Sequence, residues 1–567
     1  MNTYFEILKQ FLLILSVFIL IAKCNADDFP NDDQDDGDCT YRGAVYEHFS
    51  LTSLIPAVTK SGAQRVMNIN LDTYEQQIKI ASSAGSQIIV FPEYGITGFF
   101  PWGTRDSIVP FLEVVPNDTK PVVNPCIQRE YSDRPVQKRL SCLAKQYAII
   151  IVADLATQQP CEKTDPHCPK DGRYQFNSAL AYGADGALLA IYHKANLYSE
   201  ESNQFDSGSR TSNIGTSVFS TNFGTFSLFI CFDILFDYPS KYFKRFQVDS
   251  VAFPTAWMNV LPLLSAIEYQ QAWSLGMGMN LLASNQHLPL EQMTGSGIYS
   301  WSEGAISYHY DMDTYKGKLL VADLPCFPSK IMNRSSNVKD GLLSEGQLGS
   351  KPISVHRLGT GNITERLYKP SNVVFKEGNS SMALKAAEEK SSKIKTLINQ
   401  TTDFKKNDFF TSLVNGDPFT LQLLIKSQDT ATVAYGDLIC ALNYSLTDTW
   451  QKGDWYAFGA FSGLHVENGQ YFVQACVLLR CASAQRSKCG AETSEAYTHF
   501  KEFSLDMKGY SKDTFLTPEI LSEGDNLPKK GLAWDTNRSF DKLWSNAGSL
   551  KDPLLMAGIY GRLYEKD

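Results

Sequence analysis

The positions of hydrophobic and polar residues predict an α/β organisation for residues 41–328. Short apolar runs, typical of buried strands, lie at 42–50, 86–91, 148–155, 177–182, 187–192, 217–220, 225–231, 248–253, 281–284 and 319–322. Apolar residues spaced three and four positions apart predict helices over 71–84, 136–146 and 263–279. Because strand–helix units and hairpins both occur, we expect a mixed sheet with helices packed against it.

The pattern changes near residue 328. Residues 329–415 are rich in Ser, Asn, Lys and Gly and contain one short helical pattern over 382–398, which indicates a linker or a surface insertion. From residue 416 onward, runs typical of strands dominate, and they lie at 420–425, 438–444, 455–461, 471–479 and 554–563. The sequence therefore predicts a second, mostly β domain over 416–567.

The N-terminus has the features of a secretory signal. Lys9 precedes an apolar core over 11–22, and a short cleavage site of small residues ends at Ala26. We expect residues 1–26 to be removed, because the apolar core is short for a membrane span. Residues 27–40 follow as an acidic leader that we expect to be disordered.

The remaining chain gives no sign of membrane or nucleic-acid binding. It contains no second apolar run long enough to span a membrane, and residues 561–567 lack the apolar tail of a lipid-anchor signal. The formal net charge is −9 and no basic run is present, so we expect no nucleic-acid partner. We expect a secreted, extracellular protein with no transmembrane segment in the mature chain.

The cysteine count agrees with secretion, which favours disulfides. The chain has 12 cysteines, and 11 remain once Cys24 leaves with the signal. One free thiol, such as Cys231, beside five bridges gives this odd number, and so does a bond to another chain. The sequence does not fix the connectivity; candidate local bridges are Cys126 with Cys142, Cys161 with Cys168, and Cys481 with Cys489.

Seven N-x-S/T sequons fit the same compartment, although sequons also occur by chance. The glycosylation candidates are Asn117, Asn333, Asn362, Asn379, Asn399, Asn443 and Asn537.

A candidate nucleophile, Cys231, lies where a predicted strand ends. Two other reactive side chains occupy the same kind of position, because Glu93 and Lys194 each follow an apolar run. In an α/β fold, the carboxyl ends of adjacent strands meet at one crevice. We therefore expect the thiol, the carboxylate and the ammonium to lie together.

These three residue types suit the hydrolysis of an unactivated amide. Cys231 would attack the carbonyl and form a thioester. Glu93 would carry the thiol proton to the leaving nitrogen and then activate water. Lys194 would keep the thiolate available and stabilise the oxyanion, together with a backbone N–H such as that of Phe232. A carboxylate base needs a raised pKa and hence a mostly buried site.

Each residue also has a structural interpretation. Buried free cysteines are mostly inert, Glu93 could be a loop carboxylate, and Lys194 could be a solvated charge at a strand end. A Cys–His dyad with His193 is less favoured, because neighbouring residues on a strand point to opposite faces. The chain has no H-E-x-x-H, C-x-x-C, G-x-x-x-x-G-K-[ST] or G-x-S-x-G motif. We therefore expect no metal or other cofactor.

Several longer segments carry a resemblance to a known family. They are FPEYGITGFF (91–100), RPVQKRLSCLAK (134–145), YHKANLYSEE (192–201), FICFDILF (229–236), FPTAWMNVLPLLSAIEYQQAW (253–273), MTGSGIY (293–299) and FGAFSGLH (458–465). With them the chain resembles the nitrilase, or carbon–nitrogen hydrolase, superfamily, and within it the biotinidase and vanin (pantetheinase) branch.

The resemblance implies an αββα nitrilase-type sandwich followed by a smaller, mostly β base domain. It implies that Glu93 is the general base, Lys194 the triad lysine and Cys231 the nucleophile. It also suggests a further carboxylate near the site at Glu200. The segment 376–410 looks longer than the family pattern, so the relation of the two domains there is open.

The two members of the branch imply different small-molecule amide substrates. Segments 273–287 and 293–299 look more like the vanins, which favours pantetheine, cleaved to pantothenate and cysteamine. Hydrolysis of a biotinyl-lysine amide is the alternative. A hypothesis of another class is a non-catalytic secreted binding protein on a nitrilase scaffold.

Overall fold

The computed structural model describes residues 39–52, 58–99, 103–120, 122–208, 214–326, 409–447, 453–528, 532–534, 541–545 and 550–567. The predicted signal peptide over 1–26 lies outside the described residues, as do the acidic leader up to residue 38 and the predicted linker up to residue 408. The helical pattern over 382–398 falls in the same undescribed range. From Tyr41 onward, the described chain belongs to one compact unit.

The described residues up to 326 form three α-helices and thirteen strands. The helices are α1 (Lys60–Ser83), α2 (Pro135–Tyr147) and α3 (Ala266–Met277). The strands are β1 (Thr40–Glu47), β2 (Ile88–Val90), β3 (Glu113–Val114), β4 (Ile150–Pro160), β5 (Arg173–Tyr182), β6 (Leu188–His193), β7 (Val218–Thr221), β8 (Gly224–Leu228), β9 (Ser250–Pro254), β10 (Asn280–Ser284), β11 (Ser296–Ser300), β12 (Gly304–His309) and β13 (Lys318–Pro325).

These strands form two mixed sheets that lie face to face. The first sheet has the order β13-β1-β2-β4-β5-β6, with β3 beside β4, and the second has the order β12-β11-β10-β9-β8-β7. Parallel pairs lie at the centre of each sheet, and antiparallel hairpins extend it. The sheets contact each other through the Tyr41 hydroxyl, which donates to Ser250 Oγ at 2.8 Å, and through Ser284 Oγ, which donates to Tyr46 O at 2.7 Å.

Helices α1 and α2 cover the outer face of the first sheet. The apolar residues of α1 repeat every three or four positions, so one side of the helix is buried. Tyr74 on that side stacks on Phe91 with ring centroids 3.7 Å apart. Helix α2 begins with Pro135, and the Glu113 carboxylate accepts hydrogen bonds from its first free N–H groups, those of Val136 (2.8 Å) and Gln137 (3.1 Å).

Helix α3 covers the outer face of the second sheet and is buried along almost its whole length. Trp273 packs on Phe229, which directly follows β8 of that sheet, with ring centroids 5.2 Å apart. At Gly276 an added Cβ would lie 2.9 Å from Thr517 Cγ2, so the opposite side of α3 contacts the C-terminal part of the chain. The helix–sheet–sheet–helix arrangement confirms the predicted αββα sandwich.

The described residues from 409 onward form eleven strands. They are β14 (Phe409–Val414), β15 (Asp417–Leu423), β16 (Gln428–Tyr435), β17 (Leu438–Leu446), β18 (Trp455–His465), β19 (Tyr471–Cys481), β20 (Phe500–Lys508), β21 (Phe515–Ser522), β22 (Leu532–Trp534), β23 (Lys542–Ser545) and β24 (Leu554–Arg562). One sheet has the order β14-β15-β18-β19-β24-β21, and the other β16-β17-β20-β23-β22.

The two C-terminal sheets share a core and a disulfide. Leu442 and Leu505 of one sheet pack in the same apolar cluster as Phe458 and Ile559 of the other. The disulfide Cys440–Cys476 links β17 of one sheet to β19 of the other. This confirms the smaller, mostly β domain.

The predicted elements are found, and the differences have physical reasons. Helix α1 starts eleven residues before the predicted residue 71, because Ala63 and Met67 are the apolar residues that its first two turns bury and they give only a weak apolar pattern. Strands β11 and β12 were not predicted, since their Gly and Ser content weakens the apolar pattern. Residues 409–414, assigned to the predicted linker, form β14, which pairs with β15.

The disulfides confirm the parity argument. The three local bridges Cys126–Cys142, Cys161–Cys168 and Cys481–Cys489 form, beside Cys440–Cys476. Cys39 and Cys326 are also disulfide-bonded. Among the described cysteines, Cys231 alone is free, and it is buried.

Within the described part of the chain, every helix is too short or too polar to cross a membrane.

Candidate active site

The three predicted residues meet at one end of the two facing sheets. Glu93 follows β2, Lys194 follows β6 and Cys231 follows β8, and all three side chains line one pocket. The expectation that the ends of adjacent strands would supply them is wrong in detail. Strands β2 and β6 are separated by two other strands of the first sheet, and β8 belongs to the second sheet. The crevice lies between sheets.

Lys194 lies at the centre of a buried charge cluster. Its Nζ donates to Glu93 Oε1 at 2.8 Å and to Glu201 Oε2 at 2.6 Å. Burial alone would lower the pKa of Lys194, but the charges of Glu201 and Glu93 raise it well above its ordinary value. The ammonium therefore stays charged, and two carboxylates against one cation leave the ionised cluster with a net negative charge.

The second carboxylate on Lys194 belongs to Glu201, which directly follows Glu200, the residue suggested by the resemblance. Glu201 is the third residue of a 3₁₀ helix over Ser199–Asn203, and its Oε2 also accepts from the N–H of Tyr198 at 2.6 Å. This bond fixes Glu201 beside Lys194. The role suggested for Glu200 stays a prediction.

Asn177 on β5 ties the carboxylates together. Its Nδ2 lies 2.7 Å from Glu93 Oε1, 3.0 Å from Glu201 Oε1 and 3.2 Å from the Tyr94 hydroxyl. The Tyr94 hydroxyl donates to Glu201 Oε1 as well. The Asn177 amide thus bridges Glu93 and Glu201, and both carboxylates also bind Lys194.

Glu93 keeps one oxygen available. Among the described residues, its buried Oε2 has no hydrogen-bond partner. Burial raises the pKa of Glu93, the charge of Lys194 lowers it, and the charge of Glu201 raises it, so that the pKa lies above the ordinary value. The backbone is held by Gln286, whose Nε2 donates to Glu93 O at 2.6 Å. A free oxygen with a raised pKa is what a general base requires.

Cys231 begins a 3₁₀ helix over Cys231–Leu235 in a left-handed conformation, with φ +46°. Such a conformation is costly for a residue with a Cβ and marks a sharp turn. Burial raises the pKa of the Cys231 thiol well above its ordinary value, and the charge of Glu93 adds to this. Lys194, Thr255 and the Ala256 N–H act in the opposite direction. The resting sulfur is therefore a thiol.

Asp233 fixes the turn that carries Cys231. Its Oδ2 accepts from the Ile230 N–H at 3.1 Å and from the Tyr192 hydroxyl at 2.9 Å. Its Oδ1 accepts from the backbone N–H and from the side-chain Nδ2 of Asn196, both at 2.8 Å. The residues before Cys231 are thereby tied to the segment that follows Lys194.

The pocket has an apolar wall and a mouth from the C-terminal domain. The wall includes Phe99, Phe232, Leu235, Trp257 and Leu264. The C-terminal contribution comes from Asn415, His465, Glu467, Asn468 and Tyr471, in or beside the β14–β15 and β18–β19 turns. Both halves of the chain therefore build one pocket.

His193 points away from the pocket, as expected for the neighbour of Lys194 on a strand. Its Nδ1 lies 2.7 Å from Ser178 Oγ, and its ring stacks on Phe176 at 4.1 Å. Burial lowers the pKa of His193 to about 3. It is a neutral core residue.

A second cluster of metal-ligating residue types lies near β1. Atoms of Glu47, His287 and His309 that could bind a metal lie within 4.8 Å of one another. Both ring nitrogens of His287 are already used, because Nδ1 lies 2.7 Å from Glu47 Oε1 and Nε2 lies 2.9 Å from Thr314 O. Burial would lower the pKa of His287, but Glu47 raises it above its ordinary value. The arrangement is that of a buried ion pair.

The sequence missed Asn177, Tyr94, Asp233 and Glu201 as parts of the site. Asn177 lies in a strand where it interrupts an apolar pattern, and Asp233 follows the nucleophile by two positions. A buried polar residue within an apolar strand is the signal that could have identified Asn177. Segments 273–287 and 293–299, whose resemblance to the vanins favoured pantetheine, are fully described, and none of their residues lines the pocket.

Comparisons with known proteins agree with this architecture. The carbon–nitrogen hydrolase family matches residues 67–259, and the vanin C-terminal domain matches residues 408–567. The chain is 37% identical to a pantetheinase of Homo sapiens over 537 residues, which are 93% of this chain and 90% of the relative. It is 37% identical to a biotinidase of Bos taurus over 533 residues, which are 93% of each. The identity to a biotinidase of Homo sapiens is 36% over 537 residues, with 93% of this chain and 90% of the relative covered.

Matches of this extent span both halves of the structure, including the pocket that they share. The chain therefore belongs to the carbon–nitrogen hydrolase family, in the branch that contains the pantetheinases and the biotinidases.

Proposed function

We propose that the protein is a secreted amidase that cleaves a linear secondary amide through a thioester on Cys231, and that pantetheine is its substrate. The products would be pantothenate and cysteamine. One observation carries the proposal. The buried Glu93 binds Lys194 with one oxygen, while the other oxygen has no partner among the described residues, in the pocket that Cys231 lines.

In the acylation step, Glu93 Oε2 takes the proton of the Cys231 thiol while the sulfur attacks the amide carbonyl. The carbonyl oxygen becomes an oxyanion, which Lys194 and the Phe232 N–H would stabilise. When the carbon–nitrogen bond breaks, Glu93 gives its proton to the leaving nitrogen, and the amine departs. The acyl group remains on Cys231 as a thioester.

In the deacylation step, Glu93 takes a proton from water, and the resulting hydroxide attacks the thioester carbonyl. The carbon–sulfur bond then breaks, and Glu93 returns the proton to the sulfur. Lys194 stays charged throughout, because Glu201 and Glu93 raise its pKa. Its role is electrostatic and does not require it to lose a proton.

Secretion is supported by the disulfides and by the exposed sequons. Disulfides suit an oxidising compartment, and the described residues form Cys126–Cys142, Cys161–Cys168, Cys440–Cys476 and Cys481–Cys489. Asn117 and Asn443 are exposed and could carry glycans. The other candidates, Asn333, Asn362, Asn379, Asn399 and Asn537, lie outside the described residues.

The choice of pantetheine depends on the pocket rather than on the segments that look vanin-like. Outside the charge cluster, the polar groups of the pocket include Asn415, Glu467 and Asn468, which come from the C-terminal turns. A flexible, hydroxylated acyl chain can reach hydrogen-bonding groups that are spread along a mouth. The biotinyl-lysine amide is the second candidate, because a biotinidase is as similar to this chain as a pantetheinase is.

The test compares kcat/KM for pantetheine and for biotinyl-lysine amide on one preparation, with Cys231→Ala as the control. We expect a clear preference for pantetheine, since a site that hydrogen-bonds one acyl group leaves polar groups unpaired with the other, at a cost of ~10⁴-fold. Faster hydrolysis of the biotinyl amide would establish the second candidate. Binding of either amide without turnover by the unmodified protein would favour a non-catalytic binding protein.

A further inference from the structure

A buried arginine of the C-terminal domain contacts the helix that carries the nucleophile. Arg562, at the end of β24, is only 1% exposed. Its Nε donates to Leu235 O at 2.9 Å, and Leu235 is the last residue of the 3₁₀ helix that Cys231 begins. With about 2.0 Å of rise per residue in a 3₁₀ helix, this contact lies about 8 Å along the helix from Cys231.

The other donors of Arg562 are used within the C-terminal domain. Nη1 donates to Phe472 O, and Nη2 donates to Asp567 Oδ2 at 2.7 Å. The guanidinium also lies over the Tyr471 ring, 4.4 Å from its centroid. Asp567 compensates the buried charge, so the guanidinium is held in place and its Nε is directed at the nucleophile helix.

A second contact reaches the other end of the same helix. Gly469, in the turn between β18 and β19, lies against Phe232, and an added Cβ there would be 2.6 Å from Phe232 Cζ. Phe232 directly follows the nucleophile, and its ring also packs against Tyr471 with centroids 6.4 Å apart. The C-terminal domain thus touches the Cys231–Leu235 helix at both of its ends.

From these contacts we propose that Arg562 is a positioning residue for catalysis: through Leu235 it fixes the helix that holds Cys231 at its distance from Glu93 and Lys194. This inference rests on the proposed role of Cys231 as the nucleophile. It makes the C-terminal domain part of the catalytic apparatus, because the domain sets the position of the sulfur as well as the shape of the pocket. A displacement of 1 Å in a catalytic group can cost about 10²-fold in rate.

The experiment compares three full-length variants, Arg562→Met, Arg562→Lys and Arg480→Met, with the unchanged protein. Met keeps most of the side-chain volume but has no donors. Lys keeps the charge for Asp567, but one ammonium cannot replace the planar fork. Arg480→Met is the matched control for a loss of stability alone, because Arg480 is also a buried arginine of the C-terminal domain but donates to Asp454 and to Cys481 O, away from the nucleophile helix.

Two quantities are measured well below each variant's melting transition. They are kcat and KM for the amide substrate, and the pH profile of Cys231 alkylation by iodoacetamide. For Arg562→Met we expect kcat to fall about 10²-fold with little change in KM, and the alkylation profile to move towards that of an ordinary thiol. The kcat and the alkylation profile of Arg562→Lys should lie between those of Arg562→Met and the unchanged protein. If Arg562→Met does not fold, Arg562→Lys takes its place in the comparison. Arg480→Met should melt earlier and keep both kcat and the alkylation profile.

A folded Arg562→Met or Arg562→Lys protein with the unchanged kcat and alkylation profile would overturn the inference. So would an Arg480→Met protein whose profile moves as far as that of Arg562→Met, since the effect would then follow stability. A failure of the proposed function is distinguishable, because the unchanged protein itself would then turn over no amide or would be labelled at a cysteine other than Cys231.

Discussion

The Glu201 carboxylate lies 2.6 Å from the Lys194 ammonium, on which Glu93 also depends for its position. Lys194 is thus shared by two carboxylates and cannot give its full charge to the Cys231 sulfur. Burial raises the pKa of this thiol most, and the charge of Lys194 lowers it only in part, so we expect the thiol to stay protonated until Glu93 takes its proton. The activity should therefore depend on the ionisation of Glu93.

The first prediction concerns the acid limb of the pH–rate profile. Glu93 must be ionised to accept the proton, so kcat/KM should rise with pH through the raised pKa of Glu93. In Glu201→Gln one of the charges that raise this pKa is removed, and the acid limb should move to lower pH. The measurement is kcat/KM against pH for both proteins at one ionic strength. A limb that moves to higher pH in the variant would contradict the assignment.

Replacement of Glu93 by Gln should leave the fold unchanged and remove proton transfer by this side chain. We expect kcat to fall by ~10²–10⁴-fold, the usual effect of losing a general acid–base group. Glu113→Gln is a matched control, because Glu113 is also a buried carboxylate but caps α2 instead of lining the pocket. It should lower the melting temperature and leave kcat unchanged in the folded protein. Equal kcat values for Glu93→Gln and the unchanged protein would exclude Glu93 as the base.

The sequence was sufficient for the fold class, and it singled out three residues that line one pocket, because each of them follows a buried apolar run. It was not sufficient for their geometry. The strands that supply Glu93 and Lys194 are not neighbours, and the strand before Cys231 lies in the other sheet. Such pairing depends on contacts between residues far apart in the chain, which local periodicity does not encode.

The C-terminal part of the pocket was not predictable for a related reason. Asn468 and Gly469 read as an ordinary turn between two strands, and nothing local indicates that this turn lies against Phe232. Glu201 was missed because its position beside Lys194 depends on a single 3₁₀ turn. These residues are defined by tertiary contacts, and only the structure brings them to the site.

The contact between Gly469 and Phe232 gives a further prediction. Gly469→Ala should push the Phe232 ring, since the added Cβ has no room, and overpacking of this kind costs about 1–3 kcal/mol. We expect a lower melting temperature together with a lower kcat. Gly436→Ala is the control, because Gly436 also lies in a turn, with φ +60°, but an added Cβ there meets no atom within 4 Å. It should lower stability without changing kcat; a loss of kcat in both variants would mean that the effect is not local to Phe232.

The disulfide Cys440–Cys476 should stabilise the C-terminal domain without taking part in catalysis. It links two sheets across a sequence separation of 36 residues, and removing a native disulfide from a small secreted domain typically costs about 2–5 kcal/mol. The paired substitution to Ala should lower the free energy of unfolding by this order, measured by urea denaturation. At temperatures where the variant is folded, kcat should be unchanged, because neither cysteine lines the pocket. An unchanged unfolding midpoint would contradict the prediction.

The charge around Cys231 predicts how the thiol discriminates between alkylating reagents. Two carboxylates face one ammonium beside the sulfur, and Glu467 adds a carboxylate at the mouth. An anionic reagent is therefore repelled where a neutral reagent of the same size is not. Iodoacetamide should label native Cys231 faster than iodoacetate, by a larger ratio than for free cysteine in the same buffer. Mass mapping should find the label on Cys231 alone among the described cysteines, since the others are disulfide-bonded.

In Glu467→Gln the ratio of the iodoacetamide rate to the iodoacetate rate should decrease. Added salt should weaken the effect of Glu467 at the mouth more than that of the buried carboxylates of Glu93 and Glu201. A faster reaction with iodoacetate would show that the sulfur meets a net positive field, as it would if Lys194 were not shared with Glu201.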